Sequence, residues 1–228
     1  PASCEQLLSN GDVGTVVVTM GSTGVGVVDP LPDILELRKK YDFRIHADAA
    51  YGGYFGLAAH IDAETRAAFD ALAKVDSIVI DPHKHGLQPY GCGCVLFHDH
   101  SVGTLYKHDS PYTYFSSDEL HLGEISLECS RAGASAVALW ATQQLLPCEP
   151  GGAFAASLES CRGAALALHE RLEADARFAP LMPPELDIVV WAVRAETASA
   201  SSALAQRIFD AAAERDLHLA LARMPRAM

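Results

Sequence analysis

The stretch VGTVVVTMGSTGVGVVDP (residues 13–30) decides how the fold is interpreted. Its first part, residues 13–19, is rich in β-branched side chains, and Gly21, Ser22, Thr23 and Gly24 follow almost directly. A short apolar run that ends in glycine and hydroxyl residues is typical of a buried strand that enters a loop. We therefore predict a strand over 13–19 with a polar loop at its carboxyl end.

Outward from this strand, apolar runs alternate with helical patterns. Further strands are predicted over 44–48, 77–81 and 93–97. Helices are predicted over 34–40 and 62–73, with Asp33 and Asp62 as their N-terminal caps. This alternation predicts an α/β fold in which helices flank a mainly parallel sheet.

The C-terminal third has its own pattern. Helices are predicted over 132–146, 154–174 and 199–215, and strands over 186–194 and 217–221. A break rich in proline and glycine separates the first two helices. We expect residues 1–146 to be part of a large domain, and residues 147–228 to form a connecting helix and the start of a smaller α/β domain.

Composition narrows the class of protein. Of the 228 residues, 50% are hydrophobic and 20% are charged, and the net charge is −12. The acidic balance disfavours nucleic acid as a partner, because polyphosphate attracts a basic surface. The six cysteines form no C-x-x-C pair, which favours reduced thiols and a cytoplasmic location. No apolar run has membrane-spanning length, and the lack of an initial Met indicates a partial chain.

Three polar segments follow predicted strands, and they carry the candidate chemistry. They are TMGSTG (residues 19–24), HADAAYGG (46–53) and DPHKHG (81–86). In an open α/β sheet, ligands bind just beyond the carboxyl ends of the strands. The three segments therefore predict one shared pocket.

Within this pocket, Lys84 and Asp48 form a candidate pair. A partly desolvated lysine is an amine nucleophile that can form a Schiff base with a carbonyl compound. The carboxylate of Asp48 can keep a pyridinium nitrogen protonated, which makes the ring a better electron sink. Ala50 leaves room for a flat ring, His83 can donate to a phosphate, and Thr23 can hydrogen-bond a ring substituent or a substrate carboxylate.

These segments carry a resemblance to a known family. The patterns T-x-G-S-T-x-x-G-x-x-D-P (residues 19–30), H-x-D-A-A-Y-G-G (46–53) and D-P-H-K (81–84) resemble the motifs of the group II pyridoxal-phosphate (PLP) decarboxylases of amino acids. The resemblance covers about residues 13–146, and the order of the motifs matches. It implies a PLP-dependent enzyme of fold type I that converts an L-amino acid to its amine and CO2.

The resemblance also implies residue roles. Lys84 would hold the cofactor, Asp48 would pair with the pyridinium nitrogen, and Ala50 would lie behind the ring. His83 would be a phosphate or ring neighbour, and Thr23 would lie near the cofactor and the substrate carboxylate. Such enzymes are homodimers with a mobile catalytic loop, here residues 106–122. Tyr112 or Tyr114 of that loop would protonate the carbon that CO2 leaves.

Several alternatives stay open at this point. Another fold-type I PLP reaction, such as transamination or carbon–carbon cleavage, shares the same motifs, and so does a catalytically incomplete remnant. The cluster His46, Asp48, Asp81, His83 and His85 has ligand types that suit zinc or iron, although Lys84 among them opposes a cation. The glycines at 21, 24 and 26 are a poor match to a dinucleotide-binding loop, because their spacing is G-x-x-G-x-G.

Overall fold

A computed structural model describes residues 1–108, 120–125 and 133–223 of the chain. The helices are α1 Ala2–Leu8, α2 Leu31–Leu37, α3 Ala63–Asp70, α4 Leu122–Ile125, α5 Ala134–Leu145, α6 Ala153–Glu173 and α7 Ala198–Ala213. The strands are β1 Thr15–Thr19, β2 Arg44–Asp48, β3 Ser77–Ile80, β4 Cys94–Phe97, β5 Phe178–Pro180 and β6 Trp191–Val193. Short 3₁₀ helices lie at Gly53–Leu57, Ala71–Lys74 and His100–Tyr106.

The main sheet has four strands in the order β1-β2-β3-β4. Strands β1, β2 and β3 are parallel, and β4 runs antiparallel to β3. Helices α2 and α3 lie in the crossovers between the parallel strands. The predicted α/β fold with a mainly parallel sheet is therefore confirmed.

The two faces of this sheet differ in burial. Val18, Ile45 and Ala47 lie on one face and are essentially inaccessible to solvent. The alternation of side chains along a strand places Val17 and Asp48 on the opposite face, where Val17 is 59% exposed. Asp48 thus ends β2 on the open side of the sheet.

Two N-terminal helix caps are predicted from the sequence, and the structure confirms one of them. The Asp62 carboxylate accepts a hydrogen bond from the Thr65 backbone N–H at 2.8 Å, so the predicted cap of α3 is confirmed. The prediction for Asp33 was wrong, because α2 begins after Pro30 and places Asp33 inside its first turn. A negative charge there still favours the helix N-terminus.

The C-terminal region departs from the predicted strand–helix–strand order. Strands β5 and β6 form an antiparallel pair, and α7 follows them. The predicted strand over 186–194 is reduced to β6, because residues 185–188 contact the loops of the main sheet instead. The predicted strand over 217–221 was also wrong, since those residues are irregular after α7.

The core joins the first half of α6 to the main sheet. Phe154 and Leu158 of this helix, together with Leu186, are buried in the same cluster as the apolar face of the sheet. The division of the chain at residue 146 stays a prediction. Among the described residues, no helix is both long and apolar enough to cross a membrane.

Candidate active site

The loops that follow β1, β2 and β3 are tied to one another by their backbones. The N–H of Met20 donates to the carbonyl of Asp48 at 2.8 Å, and the N–H of Asp81 donates to the carbonyl of Ala50 at 3.3 Å. Both bonds lie at the carboxyl edge of the parallel strands. The structure therefore brings the three predicted segments together at one edge of the sheet.

Gly52 explains how closely these loops approach. A Cβ atom at this position would overlap the carbonyl oxygen of Met20 and would stand 2.8 Å from Cδ1 of Leu186. Gly21, in the loop after β1, has a φ of +102°, a conformation that favours glycine. The glycines of the first two segments are thus needed for close packing and for backbone geometry.

Lys84 follows β3 in a tight turn. Its backbone N–H donates to the carbonyl of Asp81 at 2.9 Å, and its Nζ lies 3.0 Å from Oδ2 of Asp81. The Lys84 side chain remains 33% exposed. A Cβ at Gly86 would stand 2.6 Å from Cα of Pro82, so the turn requires a glycine there. The amine is therefore held at the edge of the sheet and remains accessible.

Asp48 and Lys84 are linked by a short series of contacts. Oδ1 of Asp48 accepts the backbone N–H of Ala50 at 3.2 Å, and the carbonyl of Ala50 accepts the N–H of Asp81. The carboxylate of Asp81 in turn contacts the amine of Lys84. Ala50 thus connects Asp48, at the end of β2, to the loop that carries Lys84, and the sequence predicts that its small side chain leaves room for a ring.

His83 is oriented by the strand that follows it. Its Nδ1 lies 2.8 Å from the carbonyl oxygen of Cys92, so Nδ1 carries the proton and donates. Its Nε2 lies 3.6 Å from Oδ2 of Asp81, and the Tyr90 ring lies 5.4 Å away, centre to centre. This arrangement leaves Nε2 directed toward the ion pair of Lys84.

Three predicted site residues remain, namely Thr23, Tyr112 and Tyr114. Thr23 is exposed in the turn after β1, which a hydrogen bond from the Gly26 N–H to the Ser22 carbonyl closes at 2.7 Å. Its role near a cofactor stays a prediction. Tyr112 and Tyr114 lie outside the described residues.

The sequence interpretation missed a polar cluster next to the lysine. The hydroxyl of Tyr51 donates to Oδ1 of Asp187 at 2.7 Å, and Nε2 of His85 lies 3.2 Å from Oδ2. Burial raises the pKa of Tyr51, and the bond to Asp187 raises it further. An acid within the apolar run 186–194 was the one available signal, and it does not reveal a partner more than a hundred residues away.

The histidines of the suggested metal cluster have separate partners. His46 lies 2.7 Å from the hydroxyl of Ser77, His83 contacts Cys92, and His85 contacts Asp187. Within the part of the chain that the structure describes, no group of three or more His, Cys, Asp or Glu side chains is arranged to hold a metal ion. The donor set instead suits an organic cofactor: an accessible amine, a carboxylate and an imidazole beyond parallel strands.

A lysine amine and an aspartate carboxylate at the carboxyl edge of a parallel sheet are groups of the kind that can hold a cofactor with a carbonyl group and a ring nitrogen. Comparison with known proteins identifies the family. Residues 2–194 match the pyridoxal-dependent decarboxylase conserved domain, and the chain belongs to this family. The resemblance drawn from the three motifs is thereby confirmed.

Curated relatives in this family are amino-acid decarboxylases. The chain is 29% identical over 245 residues to the L-tyrosine decarboxylase of Enterococcus faecium, across 88% of the chain and 40% of that enzyme. It is 35% identical over 138 residues to the L-2,4-diaminobutyrate decarboxylase of Acinetobacter baumannii, across 59% of the chain and 26% of that enzyme. The chain thus spans less than half the length of these relatives.

Solved structures share the fold. The structure of Oryza sativa TDC with PLP and tryptamine superposes with a TM-score of 0.84 at 19% identity, across 98% of this chain and 48% of that one. Mouse CSAD in its apo form gives a TM-score of 0.80 at 20% identity, across 97% of this chain and 48% of that one. These likenesses confirm the predicted fold type.

Proposed function

We propose that the chain carries the cofactor-lysine region of a PLP-dependent enzyme that decarboxylates an L-amino acid to its amine and CO2. The observation that carries this proposal is the joint placement of Lys84 and Asp48 on adjacent loops, linked through Ala50 and Asp81. Membership of the pyridoxal-dependent decarboxylase family supports it.

The residues of the site have distinct tasks. Bound PLP supplies an electron sink for the pair of electrons that the departing carboxylate leaves behind. Lys84 anchors the cofactor covalently through its amine, and the carboxylate of Asp48 holds a proton on the ring nitrogen. The small side chain of Ala50 would leave room for the cofactor ring.

Asp81 is assigned a role that the sequence alone did not suggest. Its carboxylate lies 3.0 Å from Nζ of Lys84 and 3.6 Å from Nε2 of His83. A carboxylate cannot donate to a phosphate, so Asp81 orients the amine and the imidazole and leaves phosphate binding to other groups. Because Nδ1 already donates to the Cys92 carbonyl, His83 can donate from Nε2 to the cofactor only when both ring nitrogens carry a proton.

Lys84 is tested by trapping. The chain is incubated with PLP, reduced with borohydride and digested, and the peptide that carries the cofactor is identified by mass spectrometry. We expect the label on Lys84 and its loss in Lys84→Ala. Lys39→Ala, which removes an exposed lysine of the α2 end, is the matched control and should keep the label. A wild-type chain labelled elsewhere, or not at all, would refute the role of Lys84.

Tyr112 and Tyr114 are proposed as alternative proton donors to the carbon that CO2 leaves. Each is changed to Phe, which removes only the hydroxyl. Loss of that proton donor should lower amine yield relative to CO2 release in one of the two variants. Normal amine yield from both variants would dismiss the hypothesis.

The similar proteins indicate several substrate classes rather than one. Proteins named as tyrosine, aspartate and diaminobutyrate decarboxylases are similar to this chain, so aromatic, acidic and diamino acids are the substrates to screen. Release of CO2 and amine supports decarboxylation. Formation of a keto acid without CO2 would instead indicate transamination.

We also propose a homodimer and a cytoplasmic location. The homodimer rests on the family resemblance of the sequence. The location is supported by the cysteines, because Cys4, Cys92, Cys94, Cys148 and Cys161 are all free thiols in the structure. Sedimentation of the PLP-loaded protein tests the dimer, and a monomer at working concentrations would contradict it.

A further inference from the structure

Four consecutive residues of the C-terminal region, 185–188, contact the loops after β1, β2 and β3. We call them the clamp segment. Glu185 accepts a hydrogen bond from a backbone N–H of the loop after β1 at 2.8 Å. Leu186 is fully buried against Gly21 and Gly52, so that a Cβ on either glycine would lie within 2.8 Å of its Cδ1. One short segment therefore holds together the loops that carry the cofactor residues.

Asp187 is the clamp residue that reaches the lysine-bearing loop. Its Oδ1 accepts the hydroxyl of Tyr51 at 2.7 Å, and its Oδ2 lies 3.2 Å from Nε2 of His85. The other ring nitrogen of His85 lies 2.9 Å from the backbone carbonyl oxygen of Tyr51. Since His85 follows Lys84 directly in the chain, Asp187 acts on the position of Lys84 through one neighbouring side chain.

These contacts fix the protonation state of His85. Both ring nitrogens face oxygen acceptors, a carbonyl and a carboxylate, and an imidazole can donate from both nitrogens only as a cation. The side chains of His85 and Asp187 are 16% and 15% exposed, so little water is available to replace either partner. The pair is therefore a partly buried ion pair that joins the clamp segment, the loop after β2 and the loop after β3.

The surroundings of His85 support the same state. Burial lowers its pKa, but the hydrogen bond and charge of Asp187, together with the bond to the Tyr51 carbonyl, outweigh burial, and the net pKa is raised. The ammonium of Lys84 acts in the opposite direction. The rings of Tyr51 and Phe55 meet the imidazole edge-on, with centres 4.6 Å and 5.0 Å away. The pKa of Tyr51 is raised by burial, by Asp187 and by Cys161 of α6. Its hydroxyl therefore remains a neutral donor.

We propose that Asp187 is a positioning residue for the cofactor lysine. By holding cationic His85 against the carbonyl of Tyr51, it fixes the loop of Lys84 beside the loop that carries Asp48. This inference rests on the proposed function of Lys84. It assigns to the clamp segment a task in cofactor binding although that segment lies a hundred residues beyond the lysine in sequence.

The proposal sets a pH window. Because the pKa of His85 is raised by folding, its contribution is complete below the ordinary histidine value and is lost as pH rises through the raised pKa. Burial raises the pKa of Asp187, but the bonds from His85 and Tyr51 bring it below its ordinary value. Its contribution is present above that ordinary value and is lost as pH falls through the lowered one. The ion pair is thus fully formed between the ordinary pKa of an aspartate and the ordinary pKa of a histidine.

The first test measures the imidazole directly. Histidine-labelled chain without cofactor is titrated by NMR, with the His85 signal assigned by its loss in His85→Gln. We expect His85 to titrate above the ordinary value of about 6.5, and at least about tenfold loss of proton affinity in Asp187→Asn, whose amide can donate to a neutral imidazole. A wild-type His85 that titrates at or below the ordinary value overturns the proposal without any variant.

Two further variants separate positioning from simple packing. Tyr51→Phe removes one donor to Asp187 but keeps the Tyr51 carbonyl, so His85 should titrate no lower than in the wild type. Asp175→Asn makes the same charge change at an exposed ion pair with Arg177 and should leave His85 unaffected. If Tyr51→Phe lowered the proton affinity of His85 as much as Asp187→Asn, the specific role of Asp187 would be refuted.

The second test links the pair to Lys84. The PLP concentration that gives half-maximal borohydride trapping on Lys84 is measured at mildly acidic pH. We expect Asp187→Asn to need at least about fivefold more PLP, and Asp175→Asn to match the wild type. Absence of trapping in the wild type refutes the function proposed for Lys84. Normal trapping in the wild type with an unchanged half-maximal concentration in Asp187→Asn refutes the role of Asp187 alone.

Discussion

Replacing Gly52 with alanine is expected to lower the free energy of unfolding by about 3 kcal/mol or more. Gly52 has φ −88° and ψ −7°, which alanine adopts without strain, so the cost is steric. The new Cβ would overlap the Met20 carbonyl oxygen, 2.9 Å from the Met20 carbonyl carbon and 2.8 Å from Leu186 Cδ1. Ordinary carbon contacts are about 3.5 Å, so β1, the loop and the clamp segment must separate. Overpacking of this kind costs about 1–3 kcal/mol, and the upper end applies because main-chain atoms cannot rotate away.

Urea unfolding followed by circular dichroism measures this loss. Gly163→Ala is the matched control, because Gly163 lies within α6 with open space around it. Alanine there should stabilise the chain by about 0.5–1 kcal/mol through helix propensity. The reasoning is refuted if Gly52→Ala costs less than about 1 kcal/mol, or if the two variants lose similar amounts.

Two other substitutions follow from single contacts of the structure. Asp62→Ala removes the cap of α3 and should cost about 1 kcal/mol near neutral pH in urea unfolding. The pKa of Asp62 is lowered because its bonds to Thr65 outweigh burial, so the cap is lost as pH falls through the lowered pKa. In strong acid, Asp62→Ala and the wild type should therefore have the same free energy of unfolding, and a persistent difference would contradict the assignment. Burial raises the pKa of Glu185, so its charge costs stability at neutral pH. This cost declines as pH falls from the raised pKa to the ordinary value of a glutamate. Glu185→Gln, whose amide oxygen can still accept from Val28, should therefore melt no lower than the wild type at neutral pH, and a lower melting temperature would count against this account.

The parallel strands could be predicted because their signals are local. Each parallel strand is a short apolar run with a glycine or an acid at its end or within two residues of it, and the observed strands of the main sheet lie within the predicted ranges. The prediction failed where apolar residues serve distant contacts. Leu186 is fully buried without belonging to a strand, because it fills the space that Gly21 and Gly52 leave. Hydrophobicity alone does not distinguish a strand from an irregular segment that packs against a loop.

The placement of Asp48 and Lys84 at one edge of the sheet was also predictable, because it follows from the sheet topology. Polar residues at the carboxyl ends of neighbouring parallel strands must lie near one another, so the sequence alone predicts that Asp48 and Lys84 share one pocket. The contact of Asp81 with Lys84 was not predicted, although the two residues are three apart. It depends on the turn after β3, in which the Lys84 N–H donates to the Asp81 carbonyl. This turn brings the amine of Lys84 next to the carboxylate of Asp81.

Asp187 shows where inference from a sequence reaches a physical limit. A carboxylate inside an apolar run must find donors when it is buried, because an unpaired buried charge is strongly unfavourable. The sequence therefore implies that partners exist, but it does not say which of many hydroxyl and imidazole groups they are. That choice depends on how residues 185–188 pack against the glycines of the strand-end loops, which places Asp187 beside Tyr51 and His85. The glycines that let the loops approach each other thus also determine which acid can reach the neighbour of Lys84.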